Sequence, residues 1–514
     1  MPLAESAPPA GAGPGGGTTG RAGGMREERD GTGSAPVRLA TGVPGLDAVL
    51  GGGLTTGSTV LVAGQPGTGK TTLGNQLAFA HAAAGGRTIV ATLLTEAHDL
   101  MLANLRGFRF FAPSLVGDRL RYLSLLRALE EGPDGVVAAL RREVREASAT
   151  LLVVDGTAVV ADAAASGLDL RRFAQALQAQ GALLGCTTVL LTSHGRKTGR
   201  RLGAHVDGVV VLAAERTDSR RVRTLEVAKL RGARHLEGAH DFAITEAGVT
   251  VSPRLEALGG RGRPAQDPGE GLGTGVAGLD AMLGGGLMPF SSTLVMGTPG
   301  AGKTLLGLSF LAEGARRGER GLIAGFHETT GDLVMTAAGI GLDLRLPIDA
   351  GLVRVLWDAP LEVSVDAWAW RLLEAVAEHR PRRVFIDAIT DVQRLLAAPQ
   401  RMPTYTAALV NELRARGATA MIAAEIDAYA EEQLLAPVPA ASATMDNGIL
   451  LRQVELRSEL HRLVSVLKAR RAATDPAIRA FTIGGQGISV AGPFAATSGL
   501  LTGRAAAADP DPSR

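Results

Sequence analysis

The chain has 514 residues, of which 46% are hydrophobic, 20% are charged and 4% are aromatic, and its formal net charge is +2. This length predicts about two to four domains, and the near balance of charge gives no global argument for a nucleic-acid or membrane partner. The single cysteine, Cys186, excludes an internal disulfide framework and is interpreted as a small buried apolar residue in a reducing compartment. No apolar run reaches the roughly 18–20 residues of a membrane-spanning helix, and the N-terminus lacks the apolar core of a signal peptide. We therefore expect a cytoplasmic protein.

The two ends of the chain are of low complexity, and the part between them repeats itself. Residues 1–36 are rich in Gly, Ala and Pro and predict a disordered arm, and residues 494–514 predict a disordered tail. TGVPGLDAVLGGGL begins at position 41 and returns as TGVAGLDAMLGGGL at 274, while GQPGTGKT begins at 64 and returns as GTPGAGKT at 297. Both pairs have the same offset of 233 residues. The sequence therefore predicts a duplicated domain.

Each copy alternates short β-rich runs with longer stretches rich in Ala, Leu and Arg. In the first copy the apolar runs TVLVAG, RTIVATLL, ATLLVVDG and TTVLLTS are separated by helical stretches. This alternation predicts an α/β fold with a mostly parallel twisted sheet flanked by helices. We expect a first domain over residues 37–254, a linker over 255–271 that is rich in Gly, Pro and charge, and a second domain over 272–493.

The two GxxxxGK[ST] octamers predict phosphate-binding loops. Each follows an apolar strand and precedes a helix, so that glycines turn successive backbone N–H groups towards a triphosphate at a helix N-terminus. Such octamers also arise by accident in glycine-rich chains, but two copies in register argue against this. Lys70 and Lys303 are expected to contact the β- and γ-phosphates, and the hydroxyls of Thr71 and Thr304 are expected to bind Mg²⁺. The residues predicted to bind ATP are Gly64, Gly67, Thr68, Gly69, Lys70, Thr71 and Thr72 in the first copy and Gly297, Gly300, Ala301, Gly302, Lys303, Thr304 and Leu305 in the second.

An aspartate ends a neighbouring apolar run in each copy. Asp155 closes ATLLVVD and Asp387 closes RRVFID. A lone aspartate after a strand is usually a turn residue or a helix cap. Its matched placement in both copies favours a role in binding Mg²⁺, through water.

Together these motifs resemble the KaiC family of RecA-like ATPases. The resemblance extends from Val37 to Pro493, and KLRGARHLEGAHDFAITEAGVTVSPR at Lys229–Arg254 is typical of the first domain of that family. It implies two tandem RecA-like domains in a double-ring homohexamer, with ATP between neighbouring subunits and a regulatory protein as a further expected partner. Membrane and nucleic-acid partners are not expected.

The resemblance also assigns a K-x-R motif that acts in trans on the phosphates of the neighbouring subunit. In the first copy these residues are Lys229 and Arg231, with His235 nearby, and in the second copy they are Lys468 and Arg470. There Arg471 replaces a glycine and no histidine follows at the matching place. Exposed charge at a sheet edge is the alternative interpretation. Only five of the 53 basic residues are lysines, and all except Lys197 fall on an expected phosphate contact, which fits the need for a compact ammonium.

The catalytic base is where this chain departs from the resemblance, because the family usually has two adjacent glutamates after the strand beside the phosphate loop. This chain has Glu96 in TLLTEAHD and Glu328 in GFHETTGD, and the position before each glutamate holds Thr95 or His327. The remaining glutamates act as bases, or His327 takes over in the second domain, or ATP is bound with little turnover. We favour slow hydrolysis by the remaining glutamates, which predicts that His327→Glu raises turnover. A helix N-cap or first-turn acid is the structural alternative for both glutamates.

The family resemblance also suggests self-phosphorylation as a second activity. The clock autokinase of the family phosphorylates a serine–threonine pair before the K-x-R hairpin of its second domain, and the corresponding stretch here offers Ser442 and Thr444, with alanine at 443. A surface loop with scattered hydroxyls is the plainer interpretation. The expected function is therefore a KaiC-like ATPase, and the alternatives are a serine/threonine autokinase, a DNA-acting motor and a nucleotide-gated scaffold without turnover. The balanced charge and the scarcity of aromatics argue against the motor.

Overall fold

The computed structural model describes residues 37–93, 98–164, 167–193, 202–217, 220–259, 269–359, 364–396, 398–426, 441–456, 458–470 and 474–494. Several sequence predictions lie outside these ranges: the arm at residues 1–36, the tail beyond Phe494, and the residues Thr95, Glu96, Lys197 and Arg471.

The strands are numbered in chain order. They are β1 Arg38–Leu39, β2 Leu54–Thr55, β3 Thr59–Gly64, β4 Thr88–Thr92, β5 Leu120–Ser124, β6 Leu151–Asp155, β7 Thr187–Thr192, β8 Gly208–Thr217, β9 Arg220–Leu230, β10 Ala239–Thr245, β11 Gly248–Ser252, β12 Ser292–Gly297, β13 Gly321–Gly325, β14 Val353–Trp357, β15 Arg383–Asp387, β16 Thr419–Glu425, β17 Asn447–Leu456, β18 Glu459–Ala469, β19 Arg479–Gly484 and β20 Gly487–Pro493.

The helices are numbered in the same way. They are α1 Leu46–Val49, α2 Lys70–Ala83, α3 His98–Leu105, α4 Leu126–Glu130, α5 Gly132–Ala147, α6 Thr157–Ala163, α7 Gly167–Leu184, α8 Ala277–Met282, α9 Lys303–Arg316, α10 Thr330–Ala338, α11 Arg345–Asp349, α12 Val365–His379, α13 Ile389–Leu395, α14 Met402–Ala415 and α15 Ala441–Thr444. Short 3₁₀ turns lie at Pro113–Leu115, Leu255–Leu258 and Pro399–Arg401. Within the described ranges, no helix combines the length and the apolar character that crossing a membrane requires.

The two copies fold into two sheets of the same topology. Within the described residues each sheet has nine strands, in the order β11-β10-β9-β8-β3-β7-β6-β4-β5 and, read in the matching direction, β20-β19-β18-β17-β12-β16-β15-β13-β14. The strands from β8 through β3 to β5 pair in parallel, and β8 to β11 pair antiparallel. The predicted fold class, two tandem RecA-like α/β domains with mostly parallel sheets, is confirmed.

The central strands are buried on both faces, which explains their continuous apolar runs. Val60 and Val62 of β3 pack into one core cluster of the first domain, whereas Leu61 packs into the cluster on the opposite face. Cys186 lies in this second cluster with 1% of its surface exposed, and burial raises the pKa of its thiol to about 12. The cysteine is therefore a packing residue, as the sequence suggests.

The end of the first copy contacts helices of the second. Ser364, the N-cap of α12, donates to Asp241 Oδ2 at 2.5 Å, and Trp370 Nε1 donates to the carbonyl of Pro253 at 2.7 Å. The predicted linker begins with the 3₁₀ turn Leu255–Leu258, and Leu255 is fully buried in a core cluster of the second domain. The first residues after the first copy therefore pack as part of the second domain.

Candidate active sites

Both GxxxxGKT loops have the same backbone shape. Gly69 and Gly302 are the N-caps of α2 and α9, each with φ of 104°, and Gly67 and Gly300 have φ of 75° and 72°. Glycine adopts these left-handed conformations without the steric cost that a side chain imposes. The N-cap glycine of the second loop is also enclosed by side chains, because a methyl group added at Gly302 would lie 2.9 Å from Cδ1 of Ile483. The loops are thus built as the motif predicts, at the carboxyl ends of the central strands β3 and β12.

The loop lysines are buried inside these turns. Lys70 is 7% exposed and its Nζ donates to the carbonyl of Gln65 at 2.9 Å. Lys303 is 8% exposed and its Nζ donates to the carbonyls of Gly297 and Thr298 at 2.9 and 3.0 Å. Burial lowers the pKa of both ammonium groups, and nearby carboxylates partly offset this effect. Each site therefore places a lysine Nζ where the phosphates are predicted to bind.

A threonine and an aspartate meet beside each loop. Thr71 Oγ1 donates to Asp155 Oδ2 at 2.7 Å, and Thr304 Oγ1 donates to Asp387 Oδ2 at 2.5 Å. Hydroxyl and carboxylate oxygens are the ligands that Mg²⁺ prefers, so the donor set of both sites fits this ion. Among the described residues no group of three or more His, Cys, Asp and Glu side chains forms a metal cage. A magnesium ion here would accordingly keep water and phosphate oxygens as its other ligands, as Mg²⁺ commonly does.

The segment that follows β13 brings Glu328 to the second of these sites. Gly325, the last residue of β13, is paired with Asp387 at the end of β15. Burial, followed by the negative charges of Asp387 and Asp332, raises the pKa of Glu328. The N-cap of α10 is Thr329, which forms a capping box with Asp332, so Glu328 is not the helix cap that the alternative interpretation proposes. The equivalent Glu96 lies outside the described residues.

His327 contacts an acid that the sequence interpretation missed. Its Nε2 lies 3.1 Å from Oδ1 of Asp391, and the exposed fractions of the two side chains are 64% and 10%. Asp391 lies in the first turn of α13, four residues after Asp387. The sequence could have indicated Asp391 by its position four residues after an aspartate that ends a strand. That spacing alone does not show that Asp391 contacts His327, which follows a different strand. A second missed acid, Glu425 at the end of β16, raises the pKa of Lys303 and so opposes the effect of burial.

The K-x-R lysines contact carbonyls of their own domain in this single chain. Lys229 Nζ donates to the carbonyls of residues 203, 204 and 206 at 3.0, 3.3 and 2.6 Å. Lys468 Nζ donates to the carbonyl of Met445 at 2.9 Å. Arg231 is exposed and His235 is partly exposed. Their action on the nucleotide of a neighbouring subunit stays a prediction.

The candidate phosphorylation sites lie next to the second K-x-R motif. Arg470 Nη2 donates to the carbonyl of Ala443 at 3.1 Å, in the short helix α15 that ends at Thr444. The side chain of Thr444 is partly buried, and the side chain of Ser442 lies outside the described part of the structure.

Comparison with known proteins matches the model of the KaiC ATPase family to residues 39–256 and again to residues 272–494. Curated relatives align over almost the whole chain. A circadian clock oscillator protein KaiC from Picosynechococcus sp. is 27% identical over 482 residues, which are 91% of this chain and 92% of the relative. The circadian clock protein KaiC3 from Synechocystis sp. is 27% identical over 490 residues, covering 91% of this chain and 94% of the relative. KaiC from Thermostichus vulcanus is 27% identical over 487 residues, with 91% and 92% covered.

Proposed function

The chain belongs to the KaiC family of ATPases, and from this premise we propose that it binds Mg·ATP at the subunit interfaces of a homohexameric double ring and hydrolyses it slowly. The energy of binding and hydrolysis drives conformational switching of the ring. A regulatory protein is the partner that such a switch would act on.

The observation that carries this proposal is the pair of threonine–aspartate hydrogen bonds, Thr71–Asp155 and Thr304–Asp387. In each domain a helix supplies the threonine and a strand supplies the aspartate, and both pairs lie beside a buried lysine at the end of a glycine-rich loop. The same arrangement occurs in both domains and favours two nucleotide sites. A threonine–aspartate hydrogen bond with a purely structural role would not need a phosphate-binding loop beside it.

The side chains divide the work of hydrolysis between them. Bound magnesium would neutralise charge on the phosphates. Lys70 and Lys303 would hold the phosphate oxygens, and Glu96 and Glu328 would accept the proton of the attacking water. The raised pKa of Glu328 suits a general base, because proton transfer is most efficient when the base titrates near the working pH. Slow turnover follows from the single glutamate where the family usually has two.

The test combines particle size with phosphate release for the wild type and for the double variant Glu96→Gln, Glu328→Gln. We expect ATP to induce a hexamer in both proteins, and we expect phosphate release to fall to background only in the variant. Assembly with equal release in both proteins would favour the scaffold without turnover. A rise in hydrolysis on adding DNA would favour the DNA-acting motor, whereas we expect no change.

A serine/threonine autokinase is the second candidate, and the position of α15 favours it. Lys468 and Arg470, the expected trans phosphate contacts, both hold backbone carbonyls in the segment that contains Thr444. This segment therefore lies beside groups that would meet the neighbouring nucleotide. With γ-labelled ATP the autokinase predicts label on the protein that is lost in Lys303→Ala and reduced in Thr444→Ala or Ser442→Ala. Absence of label on the wild type would exclude this activity.

A further inference from the structure

The segment between β13 and α10 is fixed at three of its four residues. Phe326 is 1% exposed, and the centroid of its ring lies 5.2 Å from that of Trp368. His327 contacts Asp391, and Thr329 caps α10 through Asp332. For the remaining residue, Glu328, no hydrogen bond or ion pair of the carboxylate is found within the described part of the chain.

Asp391 connects this segment to the helix that follows Asp387, the aspartate proposed to bind magnesium. It lies in α13, which begins two residues after Asp387. Its Oδ1 lies 3.1 Å from Nε2 of His327 and accepts a hydrogen bond from Arg394 Nη1, also at 3.1 Å. The Asp391 side chain is only 10% exposed, whereas the His327 side chain is 64% exposed. The contact therefore ties the segment after β13 to the helix after β15.

We propose that Asp391 is a positioning residue that holds His327, and through it the segment 326–329, so that Glu328 is the side chain left to face the nucleotide. The inference rests on the proposed hydrolysis in the second domain. It gives each of the two adjacent candidate catalytic residues a role: His327 positions the segment, and Glu328 is the general base. The ionisable groups facing His327 are Asp391, Asp387 and Glu328, with Arg394 behind Asp391.

This assignment reverses a sequence-based expectation. The family pattern alone predicts that His327→Glu raises turnover, because it restores a second glutamate. In this structure the new carboxylate would meet Asp391, and like charges in contact repel. We therefore expect His327→Glu to lower turnover, and we expect the double variant His327→Glu, Asp391→Ala to rise no higher than Asp391→Ala, because it also lacks the anchoring contact.

The experiment uses the full chain in a Glu96→Gln background, so that phosphate release reports the second domain. We expect Asp391→Ala to lower kcat roughly tenfold to a hundredfold, the range that misplacement of a catalytic group produces, with an unchanged Kd for ATP. His327→Gln should keep most of the kcat, because a glutamine amide can donate a hydrogen bond to Asp391 from the same position. The matched control is Glu378→Ala, which removes the exposed Arg354–Glu378 ion pair in the same domain and should change neither quantity.

Amide hydrogen exchange without ATP provides a readout that does not depend on turnover. We expect Asp391→Ala to accelerate exchange between residues 326 and 332 and to leave α9 unchanged, while His327→Gln and Glu378→Ala resemble the wild type. Unchanged exchange in Asp391→Ala would overturn the proposal. A loss of turnover in His327→Gln as large as in Glu328→Gln would also overturn it, because His327 would then be the proton acceptor. Failure of the proposed function has a different signature, namely no phosphate release from the parent protein whatever the exchange result.

Discussion

The carboxylate of Asp366 is completely buried and accepts hydrogen bonds from Nη2 of Arg401 at 3.1 and 3.0 Å. The same guanidinium also binds both oxygens of Glu256, and Asp366 Oδ1 accepts a hydrogen bond from the backbone N–H of Leu255 at 3.2 Å. The cluster therefore joins the end of the first copy to the helices of the second.

We predict that protonation of Asp366 strengthens the fold. Burial raises its pKa to about 6 although Arg401 acts in the opposite direction, whereas an unfolded aspartate titrates near 3.9. The folded state thus binds the proton more tightly, and this group adds stability as pH falls through 6. Between pH 7.5 and pH 5 the gain is about 1.4 kcal/mol.

The measurement is urea unfolding of the wild type and of Asp366→Asn at both pH values. The difference in unfolding free energy between the two proteins should move in favour of the wild type at pH 5. Carboxylates outside this cluster titrate in both proteins and cancel in that difference. An equal difference at both pH values would show that Asp366 is ionised throughout.

Thr304 should act through its hydroxyl. We expect Thr304→Ala to raise the magnesium concentration needed for half-maximal phosphate release, because it removes the oxygen that contacts Asp387 and that would bind the ion. Thr304→Ser keeps this oxygen and should resemble the wild type. A magnesium titration in the Glu96→Gln background distinguishes them, and equal behaviour of the two variants would show that the hydroxyl is not the determinant.

Gly302→Ala should damage the second phosphate loop more than backbone strain alone explains. The left-handed conformation costs about 1–2 kcal/mol for a residue with a side chain. In addition, the new methyl group would meet Ile483 at 2.9 Å and Phe481 at 3.0 Å. Gly285→Ala is the control, since Gly285 has a similar φ of 114° and no atom within 4 Å of an added Cβ. We expect weaker ATP binding and a lower melting temperature for Gly302→Ala than for the control, and equal values would contradict the role of enclosure.

Arg383 should be a major determinant of the stability of the second domain. It is fully buried, its Nε donates to Glu319 at 2.6 Å, and its Nη1 donates to the carbonyls of Gly273 and Phe310 at 2.6 and 2.9 Å. We expect Arg383→Leu to cost about 3 kcal/mol, because polar partners are left buried. The neighbouring Arg382→Leu removes a half-exposed ion pair to Glu319 and should cost less than about 1 kcal/mol. Denaturant unfolding compares the two variants.

The fold was predictable because its signals are local and occur twice. Continuous apolar runs such as β3 and β6 predict buried parallel strands, and the glycines of each phosphate loop predict its turns. The pairing of His327 with Asp391 was not predictable, since it depends on where β13 and β15 lie side by side and on which face of α13 meets them. The proposed roles of Lys229 and Lys468 on a neighbouring nucleotide would depend on the position of a second subunit, which a single sequence does not give. The junction at Asp366 joins residues far apart in the chain, and no periodic pattern marks such a contact.

The burial of Leu255 means that the boundary of the repeat is not a boundary of the fold. This leucine follows the last motif of the first copy, yet it completes the hydrophobic core of the second and places its N–H on Asp366. A second half excised at residue 272 would therefore lack part of its own interior, and a first half ending at Arg254 would leave the contacts of Asp241 and Pro253 without partners. Exchanging the duplicated halves as independent units would break these contacts. We therefore expect a second half that begins upstream of Leu255 to be more stable than one that begins at residue 272.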